Sequence, residues 1–358
     1  MARANAAYYA ARDPFADFTT APEVGQVFGE LLGAWAAVVW GAMGAPDPVV
    51  LVEAGPGRGV LMADALRAVG RVAPAFRAAC RVHFVENSPR LRAVQARAVP
   101  DAVWHDDVAS VPAGPAIVLA NEFLDALPIR QFERRGGVWV ERHVARGGLV
   151  LVPCADRAGV PEGVPEGVPK GGPEGAVFEV NEAGLAWVAA LAARLVAQGG
   201  AALLLDYGRD VPGFGDTLQA LRGGRRADPL IDPGEADVTA HVDFPALAAA
   251  ARKAGAAVYG PVPQGAFLAA LGLGVRTARL AAAHPARAAV LREAADRLAA
   301  PSRMGQLFKA MAIMAPGQPA PPGFNLLGPP GFSQPGPPGF SQPAPPGFNQ
   351  LGPPGFAA

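Results

Sequence analysis

Short apolar runs alternate with amphipathic stretches along most of this chain. Five runs have strand length: Val49–Glu53, Val82–Glu86, Ala116–Ala120, Ala201–Asp206 and Gln306–Met314. Between them, apolar residues recur at helical spacing. The segment from Glu23 to Val39 places Val27, Leu31, Trp35 and Val38 on one face. Further helices are predicted at Val60–Val69, Pro89–Ala98, Glu182–Ala197, Phe244–Ala254 and Gly265–Leu271, and from about Thr277 to Ala299. Two shorter strands fit Ile129–Glu133 and Val138–His143. Strands separated by helices predict an α/β fold, with a mostly parallel sheet covered by helices on both faces.

The join between the first strand and its helix carries the first chemical signal. The strand ends in Glu53, and Gly55-Pro56-Gly57-Arg58-Gly59 follows before the helical pattern begins. Glycines let the backbone pass close to a bound cofactor, and the helix N-terminus faces it. The spacing excludes a dinucleotide fingerprint: counted from Gly55 the final position is Val60, and from Gly57 it is Met62. There is no P-loop pattern, and no G-x-S-x-G that would mark a hydrolase. A Gly-rich surface turn is the plainer alternative.

A second strand also ends in an acid, Glu86, whose carboxylate is placed to accept hydrogen bonds from a ribose diol. Near the third strand tip, Asp106 and Trp104 offer a carboxylate and an aromatic for an adenine. Solvated acids at strand ends also need no ligand.

Composition narrows the partners. The 358 residues are 51% hydrophobic and 17% charged, with zero formal net charge. No basic block stands out, so nucleic acid is not favoured. Cys80 and Cys154 lie far apart, the five histidines are scattered, and no metal-binding spacing appears. No apolar run approaches the roughly 20 residues that span a bilayer. The N-terminal residues carry no targeting signature. A soluble, cytoplasmic protein that does not span a membrane is expected.

From Pro321 an eight-residue unit repeats: PPGFNLLG, PPGFSQPG, PPGFSQPA, PPGFNQLG and a truncated PPGFAA. Such Pro and Gly density opposes helix and sheet. The expectation is a domain over residues 1–316 and a disordered tail over 317–358. The tail is either an expanded repeat of little role or a partner-binding segment acting through Phe324, Phe332, Phe340, Phe348 and Phe356. A V-P-E-G repeat from Gly159 to Gly175 reads as a surface loop. Insertions into the domain are expected at about 129–180 and 210–243.

Several blocks, in order, resemble the MidA-like methyltransferases. They are Asp17–Glu23 with Phe28–Leu31, the Glu53–Leu61 turn, Asn121–Pro128, Asp206–Gly208, Gly215–Ala220, Pro233–Phe244, Gln264-Gly265 and Met304–Lys309. The resemblance covers about residues 8 to 314. It implies a Rossmann-like class I methyltransferase sheet and S-adenosyl-L-methionine as cofactor. It also implies methylation of arginine on a protein substrate such as a subunit of respiratory complex I, because the family includes a mitochondrial member that serves assembly of that complex.

With that cofactor, Glu53, Gly55, Gly57, Gly59, Glu86, Asp106 and Asn121 are the expected binding residues. Asn121 would contact either the cofactor's amino group or the substrate. Glu122 is the expected carboxylate that grips the substrate guanidinium, with Asp125 as the second; capping the next turn is the alternative for both. Tyr207 either closes the pocket or is a core tyrosine. His241 and Asp243 are candidates for substrate binding, as an acid–base pair or as a hydrogen-bonded helix start. Thr19, Thr20 and Glu23 either close over the cofactor or, in the case of Thr20, cap the first helix. One family loop is short here, between Phe15 and Asp17. That favours a second function, a cofactor-binding assembly factor with little or no catalysis.

Overall fold

A strand covered on both faces must be apolar at every position, and Val49–Ala54 is buried throughout. The computed structural model describes residues 1–12, 19–145, 148–153 and 171–324. The chain begins with helices α1 (Ala2–Ala11), α2 (Ala21–Val24) and α3 (Val27–Ala42). Strand β1 (Val49–Ala54), α4 (Val60–Val72), α5 (Pro74–Ala79), β2 (Cys80–Val85), α6 (Pro89–Ala98), β3 (Val103–His105) and β4 (Ala116–Asn121) follow. A first insertion holds β5 (Arg130–Arg135), β6 (Val138–Ala145), β7 (Gly148–Pro153) and β8 (Val177–Val180). After α7 (Glu182–Gln198) and β9 (Gly200–Arg209), a second insertion holds β10 (Gln219–Arg222), β11 (Arg225–Ala227) and β12 (Asp237–Thr239). The chain then forms β13 (Val242–Asp243), α8 (Phe244–Lys253), β14 (Ala257–Pro263), α9 (Gln264–Ala270), α10 (Leu273–Ala283), α11 (Ala288–Ala299) and β15 (Phe308–Met314).

The central sheet has the order β14-β15-β9-β4-β1-β2-β3, with β13 paired to β9. Neighbours from β9 to β3 are parallel, and β15 runs antiparallel to both β9 and β14. Side chains alternate between two cores. Leu51, Ile117, Leu119 and Leu203 join α3, α4 and α9 on one face; Val52, Val118, Ala120 and Leu204 join α7 and α8 on the other. The α/β fold is as expected. From β1 the chain moves to β2 and β3 on one side, and β4 and β9 lie on the other. The crevice between the carboxyl ends of β1 and β4 is therefore the switch point where such sheets bind ligands.

Several boundaries differ from expectation for identifiable reasons. The first long helix is two, broken at Gly25, which is extended. Helix α3 packs close on α4: a Cβ on Gly29 would lie 2.8 Å from the Leu61 carbonyl, and one on Gly33 2.8 Å from the Ala65 Cα. The predicted helix from Thr277 to Ala299 breaks at His284-Pro285, because proline excludes the preceding residue from the α region. The described residues of the first insertion form a four-stranded antiparallel sheet, β7-β6-β5-β8, with its own core of Phe132, Trp139, Phe178 and Val180. The second insertion, expected as a loop, contains the three-stranded sheet β11-β10-β12. Most of the V-P-E-G repeat lies outside the described residues.

The tail also departs from expectation at its start. Phe324 is buried and packs on Phe267, their ring centroids 5.2 Å apart, so the folded part extends beyond residue 316. The later repeats lie outside the described residues.

Candidate active site

The turn after β1 takes the left-handed conformation at Gly55, Gly57 and Gly59, with φ of +63°, +55° and +78°. Side chains at these positions would be strained. Gly55 also has no room for one, since a Cβ there would lie 2.9 Å from the Phe123 ring. Gly59 leads into α4. Arg58 projects from the turn and pairs with Glu23 on α2 at 4.0 Å, tying the N-terminal segment to the loop.

Glu53 sits beneath this turn and is only 3% exposed. Burial pushes its carboxyl up to about 8, while a hydrogen bond from the Met62 backbone pulls it down. Its Oε2 has no hydrogen-bond partner. Glu53 thus ties the end of β1 to the first turn of α4.

At the tip of β2, Glu86 Oε1 accepts from Ser88 N at 2.8 Å and Oε2 from Gln95 Nε2 at 3.1 Å. The Asn87 backbone hydrogen-bonds this carboxylate too, which leaves it acceptor capacity for a diol hydroxyl. Burial raises this carboxyl as well. Gln95 of α6 escaped the sequence analysis. It is fully buried, donates to the Gly57 carbonyl at 2.8 Å and accepts from Trp104 Nε1 at 2.8 Å. A glutamine on the inward face of a helix, beside Leu91, is the signal that was available. Trp104 packs edge-on against Phe84 and props Gln95. Asp106 is exposed at the rim and pairs with Arg92 at 2.5 Å; Arg92 Nε also donates to the Glu86 carbonyl at 2.7 Å.

Across the crevice, the chain leaves β4 through Asn121 and Glu122. Glu122 has φ +50°, a strained value for a residue with a side chain. Its Oε1 accepts from Ala21 N at 2.8 Å and from Asn121 Nδ2 at 3.0 Å. Burial pushes its carboxyl up to about 7. Asn121 is buried, and its Oδ1 has no partner. Asp125 is buried three residues on; burial and then the Glu122 charge raise its carboxyl, and a hydrogen bond with Tyr207 opposes them. Its Oδ1 is also unpartnered. Glu122 thus meets the first backbone N–H of α2, and Asp125 the backbone of Ala126, while the unpartnered oxygens remain for a ligand.

Asp206, on β9, holds this turn in place. It is 1% exposed and accepts from Leu124 N at 3.0 Å, Asp125 N at 3.2 Å and Tyr207 N at 2.9 Å. Burial, then Asp125 and Glu122, raise it well above the ordinary carboxylate range. Tyr207 is buried beside Asp125 and hydrogen-bonds Thr239. It packs against Phe308, so it serves the core and borders the acids at once.

His241 and Asp243 take separate structural tasks, and the acid–base pair is not formed. Asp243 accepts from Ala246 N at 3.0 Å as the cap of α8 and pairs with Arg209 at 3.1 Å. His241 packs edge-on against Tyr207; burial and then Arg209 push its imidazole down to about 4, so it is neutral. Thr20 precedes α2 without a side-chain cap. Thr19 is half-buried beside it, and Phe15 to Asp17 lie outside the described residues.

Helix α1, unforeseen from sequence, crosses this side. Asn5 Nδ2 donates to the carbonyls of Ala126 at 2.9 Å and Val238 at 2.8 Å. Tyr9 donates to Asp237 at 2.8 Å and is raised by burial, then Asp237, then Asp125. Ser88 Oγ donates to the Tyr9 carbonyl at 3.0 Å, so α1 spans the crevice from the β2 side to β12.

Comparison with known proteins agrees with this geometry. Residues 31–262 match the model of a family of S-adenosyl-L-methionine-dependent methyltransferases. The chain is 34% identical to the mitochondrial protein arginine methyltransferase NDUFAF7 homolog of Drosophila melanogaster, over 87% of this chain and 78% of that protein. It is 34% identical to the Mus musculus protein of that name, over 83% and 74%. A Burkholderia thailandensis structure solved with S-adenosyl-homocysteine superposes with a TM-score of 0.70 at 27% identity, covering 87% of this chain and 82% of that one. The central sheet, the glycine turn at its switch point and these matches agree: the chain belongs to the MidA-like family of S-adenosyl-L-methionine-dependent methyltransferases.

Proposed function

We propose that this methyltransferase acts on the guanidinium of a protein arginine, gripped by Glu122 and Asp125. The observation that carries the reading is the set of crowded carboxyls at the ends of β4 and β9, Asp125 and Asp206 buried and Glu122 half-buried. Glu122, Asp125 and Asp206 are all raised by burial, and Asp125 and Asp206 further by their acidic neighbours. A cation placed among them relieves that repulsion and meets the unpartnered Asp125 Oδ1. The relatives' names, as protein arginine methyltransferases, support the same substrate class.

S-adenosyl-L-methionine, when bound, supplies an electrophilic methyl group on a sulfonium. The backbone at Gly55–Gly59, the Glu86 carboxylate, the unpartnered Asn121 Oδ1 and the rim acid Asp106 are the groups assigned to hold it. Glu53 supports that loop from beneath. A guanidinium is protonated at any ordinary pH and is a poor nucleophile. The enzyme must therefore hold the reacting nitrogen in line, at roughly 3 Å, and keep the positive charge on the other nitrogens. Two carboxylates on one turn do both. A group that titrates near 7, such as Glu122, is also suited to take the proton that methylation releases. A subunit of respiratory complex I is the proposed acceptor, on the strength of the family resemblance.

The test is transfer of an isotope-labelled methyl group from the cofactor to protein, read by mass spectrometry, for the parent and Glu122→Gln. Label should appear on arginine. Glu122→Gln should slow transfer by about 100-fold while cofactor affinity, measured by calorimetry, stays within about twofold. Label on another residue type, or full activity in the variant, defeats the reading. Cofactor binding without transfer in the parent would instead identify the assembly-factor function.

A further inference from the structure

We infer that the surface between α3, α9 and β14 is a binding site for the tetrapeptide Pro-Pro-Gly-Phe, with the downstream repeats of the tail as its interchangeable ligands. The first unit, Pro321–Phe324, occupies this site, and Gly323 and Phe324 each have a physical reason to be what they are. Pro321 is buried. The Pro322 carbonyl accepts from Trp35 Nε1 at 3.2 Å. Gly323 has φ +87°, and a Cβ there would lie 2.5 Å from the Phe267 ring. Only glycine meets both demands without strain. Phe324 is 6% exposed, stacks at a tilt on Phe267 and approaches Gly260 so closely that a Cβ at Gly260 would lie 3.1 Å from its ring.

These four residues recur without change at 329–332, 337–340, 345–348 and 353–356, while the four spacer residues vary. What the site reads is thus what the repeats keep. One site holds one phenylalanine, so four units are surplus. The nearest, Pro329–Phe332, is the proposed occupant whenever the first unit is displaced. The link from the end of β15 then lengthens from residues 315–320 to residues 315–328. Loop closure grows only slowly more costly with length, so the exchange is nearly free. Repeats of one ligand on one tether keep the site filled through effective concentration. The surplus copies also let the tail of a second molecule compete.

The full chain tests this. Phe324→Ala alone should lower the melting temperature by about 1 °C, because Pro329–Phe332 replaces the lost unit. Changing all five tail phenylalanines to alanine should lower it by about 4 °C, because no unit remains. A synthetic peptide of residues 329–344 should then raise the melting temperature of the five-fold variant and leave the parent unchanged. The same peptide with Gly331→Ala and Gly339→Ala should do neither. Equal losses in the single and five-fold variants would show a site built for its own first unit alone. A peptide that fails to bind the five-fold variant, or binds it and the parent alike, would also overturn the inference.

Discussion

The two sides of the crevice use the same residue types under opposite electrostatic conditions. On the β2–β3 side, each carboxylate has local partners. Glu86 has Ser88 N and Gln95, and Asp106 has Arg92. On the β4–β9 side, Glu122, Asp125 and Asp206 receive backbone and side-chain hydrogen bonds but crowd one another. The difference matches what each side is proposed to hold. A ribose diol needs acceptor lone pairs in fixed positions and brings no charge. A guanidinium brings a charge, and a site prepared for it must carry an excess of acidic groups; here Arg297 opposes the rise at Glu122, one cation against three carboxyls. The first arrangement costs the fold little. The second stores repulsion that substrate relieves.

Three changes sharpen this contrast, the largest first. Gly57→Val places a β-branched residue at φ +55° on the cofactor side. Cofactor affinity should fall by about 100-fold or more in calorimetric titration. Unaltered affinity would remove the turn from the site. Asp125→Asn acts on the other side. Transfer should slow by about 30-fold with cofactor affinity nearly unchanged, and an effect on affinity alone would move Asp125 to the cofactor. Glu86→Gln keeps the size of the side chain and one acceptor oxygen. Cofactor affinity should weaken by about 10-fold while the rate at saturation holds.

The pH profile divides the two sides again. Glu122 titrates near 7 in the free protein and must be ionised to pair with a guanidinium. The substrate stays protonated throughout this range, so it contributes no limb. Asp125, raised to about 7 beside it, must be ionised as well, so as pH falls below 7 kcat/KM should fall by more than tenfold per pH unit. A profile flat down to pH 5 would mean that Glu122 does not titrate there or does not bind substrate.

Much of the frame was legible because it is local. The buried strands are near-continuous apolar runs, and the turn at Gly55–Gly59 and the acids Glu86, Glu122 and Asp125 sit directly at strand ends. The missing parts depend on partners distant in sequence. The weakly amphipathic α1 acquires its place from Asn5 contacts to Ala126 and Val238 and from Tyr9 to Asp237. Gln95 and Asp206 act on backbone groups of other elements, so the inward face of α6 and the end of β9 mark the residues without naming their contacts. His241 and Asp243, two residues apart, suggested a pair; the cap of α8 and the Arg209 contact claim Asp243 instead. The Pro-Gly composition of the tail concealed that its first unit fits a site on the domain.

Glu53 gives the smallest expected effect on the reaction and the clearest on stability. It lies on the cofactor side yet carries the electrostatic condition of the other, buried and titrating near 8. In the unfolded chain its carboxyl titrates near the usual value of about 4.3. Between those values the folded protein keeps a proton that the unfolded chain has released. Unfolding then releases a proton, so this residue's contribution falls as pH rises and levels off above 8. The loss across that window is on the order of 5 kcal/mol. Glutamine resembles the protonated acid and keeps an acceptor for the Met62 backbone, so Glu53→Gln should escape the loss. The variant should melt within about 1 °C of the parent at pH 5 and several degrees above it at pH 9. Its cofactor affinity at pH 7 should stay within about threefold, since the parent's carboxyl is already mostly protonated there. A tenfold weaker affinity, with no gain in stability at pH 9, would place an ionised Glu53 directly on the cofactor and return it to the role its position beside the glycine turn first suggested.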